Sequence, residues 1–342
     1  MTITYEQIRQ LPKAELHVHL DGCLRPETML DLAREQGIDL PARDPHTLAG
    51  QMFVGDASSL EEYLQSYDLT LSVMQSKASL ERVAHEFMLD SVDQNIRYIE
   101  VRYCPALHQQ QRLTIVEAIE APLAGLHRGS SETGIRFGLI ICALRTLRAR
   151  VSEDLARAAV DYATDGVVAF DLAGSEAGHP ARDHAKAFEY ARSNDLACTC
   201  HAGEGAGAES IDEAIHVCHA QRIGHGTRLK ERPEVEEYVR ENHIPLEVCL
   251  SSNRHTHTVP VVSQHPIRRY FDLGCLVTIN TDSRLMDRTT LTDEYWLAHE
   301  ELGFSTAEIH QLVLNGFEAA FLPPDDRREL IATVKHDLEN RT

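Results

Sequence analysis

Several features that would place the chain in a common protein class are missing from its 342 residues. No apolar run is long enough to cross a bilayer, and the first ten residues, MTITYEQIRQ, lack the basic and apolar regions of a secretory signal. Basic residues are fewer than acidic ones, 33 against 53, for a formal net charge of −20. Such a surface repels phosphate backbones and anionic lipid, so we expect neither a nucleic acid nor a membrane partner.

The signatures of several enzyme classes are also absent. The sequence has no P-loop, no G-x-G-x-x-G after a strand, no HExxH zinc-protease pattern and no P-C-x-x-C of the cytidine-type deaminases. Its eight cysteines lie mostly in predicted strands, where a free thiol packs as a small hydrophobe. Together with the missing signal, this pattern predicts free cysteines in a cytoplasmic protein.

The sequence does contain short β-branched runs that alternate with helical patterns. The predicted strands cover residues 15–20, 97–103, 136–144, 166–173, 196–202, 222–226, 244–251 and 275–282. Helical periodicity marks residues 114–132, 182–193, 207–220 and 231–242. Eight strands alternating with helices predict an α/β fold, a (β/α)8 or TIM barrel, in a single domain over residues 1–342.

Two segments exceed what a minimal barrel needs. Residues 21–95, after the first strand, have room for two or three extra helices, and residues 304–338 predict a helical tail. An insertion after a barrel strand falls at the catalytic mouth. Within it, residues 58–76 carry an apolar stripe of helical spacing, formed by Leu60, Tyr63, Leu64, Tyr67 and Leu71. We expect this stripe either to line the pocket as a lid or to pack on the barrel.

Histidines and one aspartate mark the ends of the predicted strands, where a barrel of this kind carries its chemistry. His17 and His19 are two residues apart, so both side chains point to one side of the first strand. His201 lies at the end of the fifth strand and Asp282 at the end of the eighth. A lone buried histidine is more often a core residue, but this convergence favours a metal site. Three histidines and one carboxylate suit Zn²⁺ with a position left for water, which the ion activates near neutral pH.

Two further residues are candidates for proton transfer. Glu204 lies three residues after His201, within reach of a bound substrate, although a carboxylate near a helix N-terminus is the alternative. His225 lies at the end of the sixth strand between two glycines that permit close backbone approach, and it could orient the water or take its proton. Cys198 and Cys200 precede His201 on the same strand, and we expect them to pack rather than to bind metal.

A second H-x-H pair, His255 and His257, follows the seventh predicted strand in SSNRHTH. We place this pair in a loop, mostly in solvent or near the substrate, and not on the metal.

The motifs KAELHVHLDG, DLAGSE, HAGE, RIGHG, VCLSSN and TINTDS occur in this order between about residue 11 and residue 322. In combination they resemble the adenosine deaminase family of metal-dependent amidohydrolases. The resemblance implies one zinc ion, held by His17, His19, His201 and Asp282. It also implies roles for the other site residues: Glu204 protonates purine N1, His225 assists the water, the Gly174 backbone N–H meets the purine and Asp21 meets the ribose.

The sequence departs from that family at one position. Many members have two consecutive aspartates at the end of the eighth strand, and the second binds purine N7. Here the pair is Asp282 and Ser283. Serine is shorter and uncharged, so we expect the contact of Ser283 with N7 to be weakened, bridged by water or replaced.

The resemblance implies a purine nucleoside substrate, with adenosine or 2′-deoxyadenosine deaminated to the inosine product and ammonia. Another 6-aminopurine, such as adenine or a modified adenosine, is the alternative, although Asp21 in HLDG resembles the nucleoside enzymes and adenine deaminases tend to have HLEG. A two-metal hydrolase would need a bridging lysine after the fourth strand, and GVVAFDLAG has none. A non-catalytic binding protein would be expected to have lost a ligand or Glu204, and none is missing.

Overall fold

The computed structural model describes residues 3–55 and 59–339. Eight strands form a sheet in sequential order, and all neighbouring pairs are parallel. They are β1 (Lys13–His19), β2 (Ile96–Tyr103), β3 (Arg136–Leu144), β4 (Val167–Ala173), β5 (Ala197–Ala202), β6 (Arg222–His225), β7 (Leu246–Val248) and β8 (Val277–Ile279). The sheet closes after β8, where the His19 N–H donates to the Asp282 carbonyl at 2.7 Å and the Asp282 N–H donates to the His17 carbonyl at 3.0 Å. The predicted barrel is confirmed.

Helices surround the barrel, and the described part of the chain contains none that is long and apolar enough to cross a membrane. Those before β3 are α1 (Tyr5–Gln10), α2 (Pro26–Gln36), α3 (Pro45–Met52), α4 (Leu60–Gln65), α5 (Tyr67–Val73), α6 (Lys77–Ser91) and α7 (Ile115–Thr133). Those from β3 to β8 are α8 (Ala149–Asp161), α9 (Ala185–Ser193), α10 (Ala208–His216), α11 (Pro233–Glu241), α12 (Leu250–His255) and α13 (Ile267–Asp272). After β8 come α14 (Leu291–Leu302), α15 (Thr306–Glu318) and α16 (Pro324–Glu339), so the predicted helical tail is confirmed.

The inserted segment between β1 and β2 is more helical than expected, since α2 to α6 all lie within it. The apolar stripe predicted over residues 58–76 is divided between α4 and α5, and residue 58 lies outside the described residues. The two helices meet at Ser66, whose hydroxyl donates to the Tyr63 carbonyl at 2.7 Å. A serine that satisfies a backbone carbonyl in this way competes with helix continuation.

The last two strands are shorter than predicted. The expected strands 244–251 and 275–282 shrink to β7 and β8, because α12 begins directly after Cys249 and the chain turns inward after Ile279. Leu250 is fully buried on that helix, and a buried apolar run does not by itself distinguish a strand from a helix. The Asn280 backbone N–H still donates to the Val248 carbonyl at 2.8 Å, and its side-chain oxygen accepts the backbone N–H of Leu16 at 2.7 Å.

The inside of the barrel contains a buried ionic layer, which we define as Glu100, Arg102, Asp171, Arg222 and Glu247. Arg102 donates to Asp171 at 2.9 Å and to Glu247 at 2.8 Å. Arg222 donates to Glu247 at 2.7 Å and to Glu100 at 2.5 Å. Each charge therefore has an opposite partner, which a charged group this far from water requires.

Candidate active site

The four predicted metal ligands converge above the ionic layer at the carboxyl ends of the strands. The ligand atoms of His17, His19, His201 and Asp282 all lie within 4.8 Å of one another. His19 Nε2 is 3.2 Å from His201 Nε2, and Asp282 Oδ1 is 3.5 Å from His17 Nε2 and 3.4 Å from His19 Nε2. Ligand atoms at about 2.0–2.1 Å from a tetrahedral Zn²⁺ are about 3.3 Å apart, so this arrangement fits the ion.

Hydrogen bonds on the far side of two rings leave their metal-facing nitrogens as acceptors. His17 Nδ1 lies 2.8 Å from Glu247 Oε2, and His201 Nδ1 lies 3.1 Å from Asp171 Oδ2. A ring that donates its Nδ1–H to a carboxylate keeps its lone pair on Nε2, as zinc-binding histidines do. His17 Nε2 is buried and has no hydrogen-bond partner among the described residues. A cation at this point would satisfy it.

The sequence analysis missed Asp171, Glu247 and Arg102, which orient these ligands. The single guanidinium of Arg102 holds both carboxylates and thereby links the two histidine positions. The available signal was the presence of charged residues inside strands that are otherwise apolar, since a buried charge is costly unless it is paired.

Two site residues have left-handed backbone conformations, with φ of 61° at His225 and 65° at Asp282. Non-glycine residues rarely adopt this conformation, and where they do the site often needs the side chain in a direction that regular backbone does not allow. Both strand ends turn sharply here, which brings the imidazole and the carboxylate toward the centre of the mouth. The second oxygen of Asp282 accepts from the Ser252 hydroxyl at 2.6 Å.

Glu204 lies beside the metal ligands with an unused carboxyl oxygen. Its Oε1 is buried with no hydrogen-bond partner in the described part of the chain, and its Oε2 is 3.5 Å from His225 Nε2. Burial, together with the negative charges of Asp282 and Glu176, raises the pKa of Glu204 well above its ordinary range. This shift favours the protonated form of the carboxyl group, which is the form that can donate a proton.

Glu176, in DLAGSE, fixes the loop that carries Glu204. Its carboxylate accepts three backbone N–H groups, from Gly203 at 2.8 Å, Glu204 at 3.0 Å and Ala206 at 2.9 Å. The side chain is 5% exposed. The sequence analysis did not assign Glu176 a role, because its partners are backbone groups that a motif does not reveal.

A cavity of about 400 Å³ opens onto these residues. It is lined by His19, Asp21, Leu60, Tyr63, Leu64, Gln65, Tyr67, Asp68, Leu71, Cys104, Leu107, Cys142, Leu144, Thr146, Ala173, Gly174, Ser175, His201, Glu204, His225 and Asp282. All five members of the apolar stripe are among them, so the stripe forms a wall of the cavity. No lysine or arginine of the described residues lines it.

Asp21 and Gly174 both lie at the cavity surface. Burial raises the pKa of Asp21 to about 7, and its Oδ1 has no hydrogen-bond partner within the described ranges. Gly174 directly follows β4 with φ of 90°, a conformation that favours glycine. A buried carboxyl oxygen without a partner and an open backbone position are suited to contact a polar ligand.

Ser283 has a different position from the other candidate residues. It is fully buried and does not line the cavity. Its hydroxyl shares a hydrogen bond with the phenol of Tyr67, whose ring does line the cavity. The structure thus places Ser283 behind Tyr67.

The remaining sequence candidates lie outside the metal centre. His255 is buried at the end of α12, with its Nδ1 2.7 Å from Asp287 Oδ1, so its expected position in a solvated loop is wrong. His257 is exposed. Cys198 and Cys200 are fully buried and, like the other six cysteines, free.

The chain is similar to known proteins in sequence and in fold. The family model for adenosine deaminase matches residues 12–337. The chain is 41% identical over 327 residues to adenosine deaminase from Clostridium acetobutylicum, covering 95% of this chain and 98% of that protein. The Arabidopsis N6-mAMP deaminase structure has a TM-score of 0.87 at 26% identity, covering 97% of this chain and 99% of that one. A cog1816 amidohydrolase from Burkholderia ambifaria with bound Zn has a TM-score of 0.90 at 23% identity, covering 100% and 95%. Since the family model spans nearly the whole chain, the protein belongs to the adenosine deaminase family.

Proposed function

We propose that the protein deaminates adenosine and 2′-deoxyadenosine by hydrolysis, giving inosine or 2′-deoxyinosine and ammonia, with one Zn²⁺ per chain. One observation carries the proposal. Three buried polar atoms at this site lack a partner among the described residues: His17 Nε2 in the cluster of metal ligands, and Asp21 Oδ1 and Glu204 Oε1 on residues that line the cavity. They correspond to three different needs, namely a metal ligand, a partner for a sugar hydroxyl and a proton donor.

His17, His19, His201 and Asp282 would hold the zinc ion, as their spacing and their lone pairs allow. When bound, the ion supplies a hydroxide nucleophile at neutral pH, because it lowers the pKa of water to about 7.

The chain's own residues would bind the nucleoside and transfer protons. Glu204 gives its proton to purine N1 as the nucleophile adds to C6, which makes the ring a better acceptor of electrons. The amino group then takes the proton of the hydroxyl added at C6, the C6–N bond breaks to release ammonia, and C6 keeps the oxygen as a carbonyl while N1 keeps the proton from Glu204. His225 Nε2, 3.5 Å from Glu204 Oε2, faces the same reacting position. The Gly174 N–H and the Asp21 carboxyl would orient the base and the ribose.

The cavity favours a nucleoside over a nucleotide. The carboxyl groups of Asp21 and Asp68 line it, and no lysine or arginine in the described ranges does. A 5′-phosphate would therefore lose water without gaining a cation and would face like charge. Free adenine or a modified adenosine remains the second candidate, since the Arabidopsis neighbour is an N6-mAMP deaminase.

We also propose that the chain is one domain and that the protein is cytoplasmic. The eight cysteines are free, which suits a reducing compartment.

The test is ammonia release from a panel containing adenosine, 2′-deoxyadenosine, adenine, AMP and N6-methyl-AMP, with zinc content measured on the same preparation. We expect both nucleosides to be turned over and AMP to have a kcat/KM lower by about 10²-fold or more, since like-charge contact costs several kcal/mol. Turnover of another aminopurine with none of adenosine would contradict the proposal.

A further inference from the structure

A chain of hydrogen bonds ends on His225, and its other members do not line the cavity. It starts at the backbone N–H of Ile267, at the beginning of α13, and passes through the side chains of His265 and Asn253. Asn253 lies on α12, and His225 ends β6. These hydrogen bonds thus connect α12 and the start of α13 to the mouth of the barrel.

The direction of the first two bonds follows from the backbone. The Ile267 N–H can only donate, so His265 Nδ1, at 3.1 Å, must accept. Burial, together with the charge of Lys230, lowers the pKa of His265 to about 3, so the ring is neutral with its one proton on Nε2. That Nε2–H lies 3.1 Å from Asn253 Oδ1 and donates to it.

The orientation of the Asn253 amide determines which atom donates in the next hydrogen bond, the one to His225. The atom that faces the His265 Nε2–H must accept and is therefore the oxygen, which also accepts from the Thr227 hydroxyl at 2.8 Å. The amide nitrogen is therefore the atom 3.0 Å from His225 Nδ1. An amide nitrogen donates and does not accept, so His225 Nδ1 accepts and the neutral ring carries its proton on Nε2.

We propose that Asn253 and His265 are positioning residues that hold His225 as an Nε2–H donor directed at the reacting oxygen. The sequence left two roles open for His225, orienting the nucleophile and accepting its proton. This series of hydrogen bonds, which we call the relay, supports only the first role. The ring faces the metal position, with its centroid 4.7 Å from that of His17. The inference rests on the proposed deaminase function for its effect on rate, but the tautomer itself does not depend on any substrate.

The deciding variant is Asn253→Asp. Aspartate has the same shape, and its oxygens can still accept from Thr227 and His265, so the fold keeps these bonds. Its second oxygen can only accept from His225, which moves the ring proton to Nδ1. We expect kcat to fall by about 10²–10³-fold, as when one preorganised donor is removed, with KM within about threefold.

The direct readout is the His225 tautomer in zinc-free protein labelled with ¹⁵N-histidine, measured by long-range ¹H–¹⁵N correlation and assigned by difference with His225→Gln. We expect Nε2–H in the parent protein and Nδ1–H in Asn253→Asp. A proton on Nδ1 of His225 in the parent protein would contradict the proposed hydrogen-bond directions. An unchanged His225 tautomer in Asn253→Asp would contradict the positioning role of Asn253. A changed tautomer with unchanged kcat would overturn the donor role of His225.

Two matched variants distinguish a change in hydrogen-bond direction from the simple loss of a hydrogen bond. Thr227→Val removes one donor to Asn253 but leaves the direction of the other hydrogen bonds unchanged. In His265→Gln, the new side chain can accept from the Ile267 N–H and donate to Asn253 as histidine does. We expect both to keep Nε2–H and to lose less than about tenfold in kcat, the equivalent of one neutral hydrogen bond. If either matched the loss in Asn253→Asp, the effect would be structural. If the parent protein did not act on adenosine, the proposed function would fail while the tautomer result would still stand.

Discussion

The mouth of the barrel and the ionic layer beneath it are both buried and polar, but only the ionic layer pairs its carboxyl groups with cations. In the ionic layer, burial alone would raise the pKa of Glu247, but Arg102 and Arg222 hold it well below its ordinary range. In the mouth, no described cation faces Glu204 or Asp21, and burial raises the pKa of both carboxyl groups. In the ionic layer each charge has an opposite partner, whereas the mouth has buried polar atoms that need a ligand.

This difference separates residues that hold the site from residues that act in it. A buried group with all its partners fixes geometry, and removing it leaves the partners without compensation. A buried group without a partner lowers the stability of the ligand-free protein and is satisfied when metal or substrate binds. Substitutions in the mouth should therefore change activity more than stability, and those in the ionic layer should change both.

The largest effect is expected for His19→Ala. Three remaining ligands hold Zn²⁺ less well, and without the ion hydroxide is scarce at neutral pH. We expect zinc content well below one per chain and kcat/KM lower by at least roughly 10⁴-fold. Elemental analysis and the ammonia assay check both. A variant that retains full zinc would show that His19 is not a ligand.

Next in size is Glu204→Gln, which keeps the shape of the side chain and removes its transferable proton. General acid catalysis contributes about 10²–10⁴-fold, so kcat should fall by that factor with zinc content unchanged. Thermal unfolding of the metal-free form should change little, because an amide of the same shape replaces the carboxyl group. Near-normal turnover would assign Glu204 a structural role.

Arg102→Met tests the other layer. It leaves Asp171 and Glu247 buried without their shared cation, and breaking a buried pair from one side costs about 3–5 kcal/mol. Because these carboxylates orient His201 and His17, zinc affinity should fall by about 10–100-fold as well. Urea unfolding and a competitive chelator measure the two effects. Loss of stability with unchanged zinc affinity would separate the ionic layer from the metal site.

The sequence predicted the mouth better than the layer below it. The order of strands predicted the barrel, and the convergence of His17, His19, His201 and Asp282 was predictable because all four lie at strand ends, which meet at one mouth of a barrel. Arg102 and Glu176 were not, since their partners come from distant strands or from backbone N–H groups. Register and loop geometry decide such contacts, and neither follows from local pattern. The same limit explains why the stripe on α4 and α5 was predicted as continuous: the break at Ser66 depends on one side chain to backbone hydrogen bond.

Glu294 lies between these two cases. It is not paired with an opposite charge, but its carboxyl group accepts hydrogen bonds from the Thr289 hydroxyl at 2.7 Å and from the Ser251 N–H at 3.2 Å. Burial raises the pKa of Glu294 from 4.5 to about 7. Between these values the folded state binds the proton and the unfolded state does not, so this contribution to stability is full below about pH 4.5 and is lost as the pH rises through about 7.

The expected size is at most about 3 kcal/mol, at 1.36 kcal/mol per pKa unit. Glu294→Gln should therefore flatten the decline in the free energy of unfolding between about pH 5 and pH 8, measured by urea titration. An equally steep decline in the variant would assign the pH dependence to other groups.

The smallest effect is expected at Ser283. If its hydroxyl contacted purine N7, Ser283→Ala would reduce kcat/KM for adenosine but not for 7-deazaadenosine, which lacks that acceptor. The structure instead buries the hydroxyl against the Tyr67 phenol, so the substitution removes a protein–protein hydrogen bond worth about 0.5–1.5 kcal/mol. Both substrates should then lose the same factor, about tenfold or less, and Tyr67→Phe, which removes the same bond, should match it. The double variant should be no worse than either single one, because both break one interaction. A loss confined to adenosine would place Ser283 on the substrate and move it from the supporting residues to the mouth.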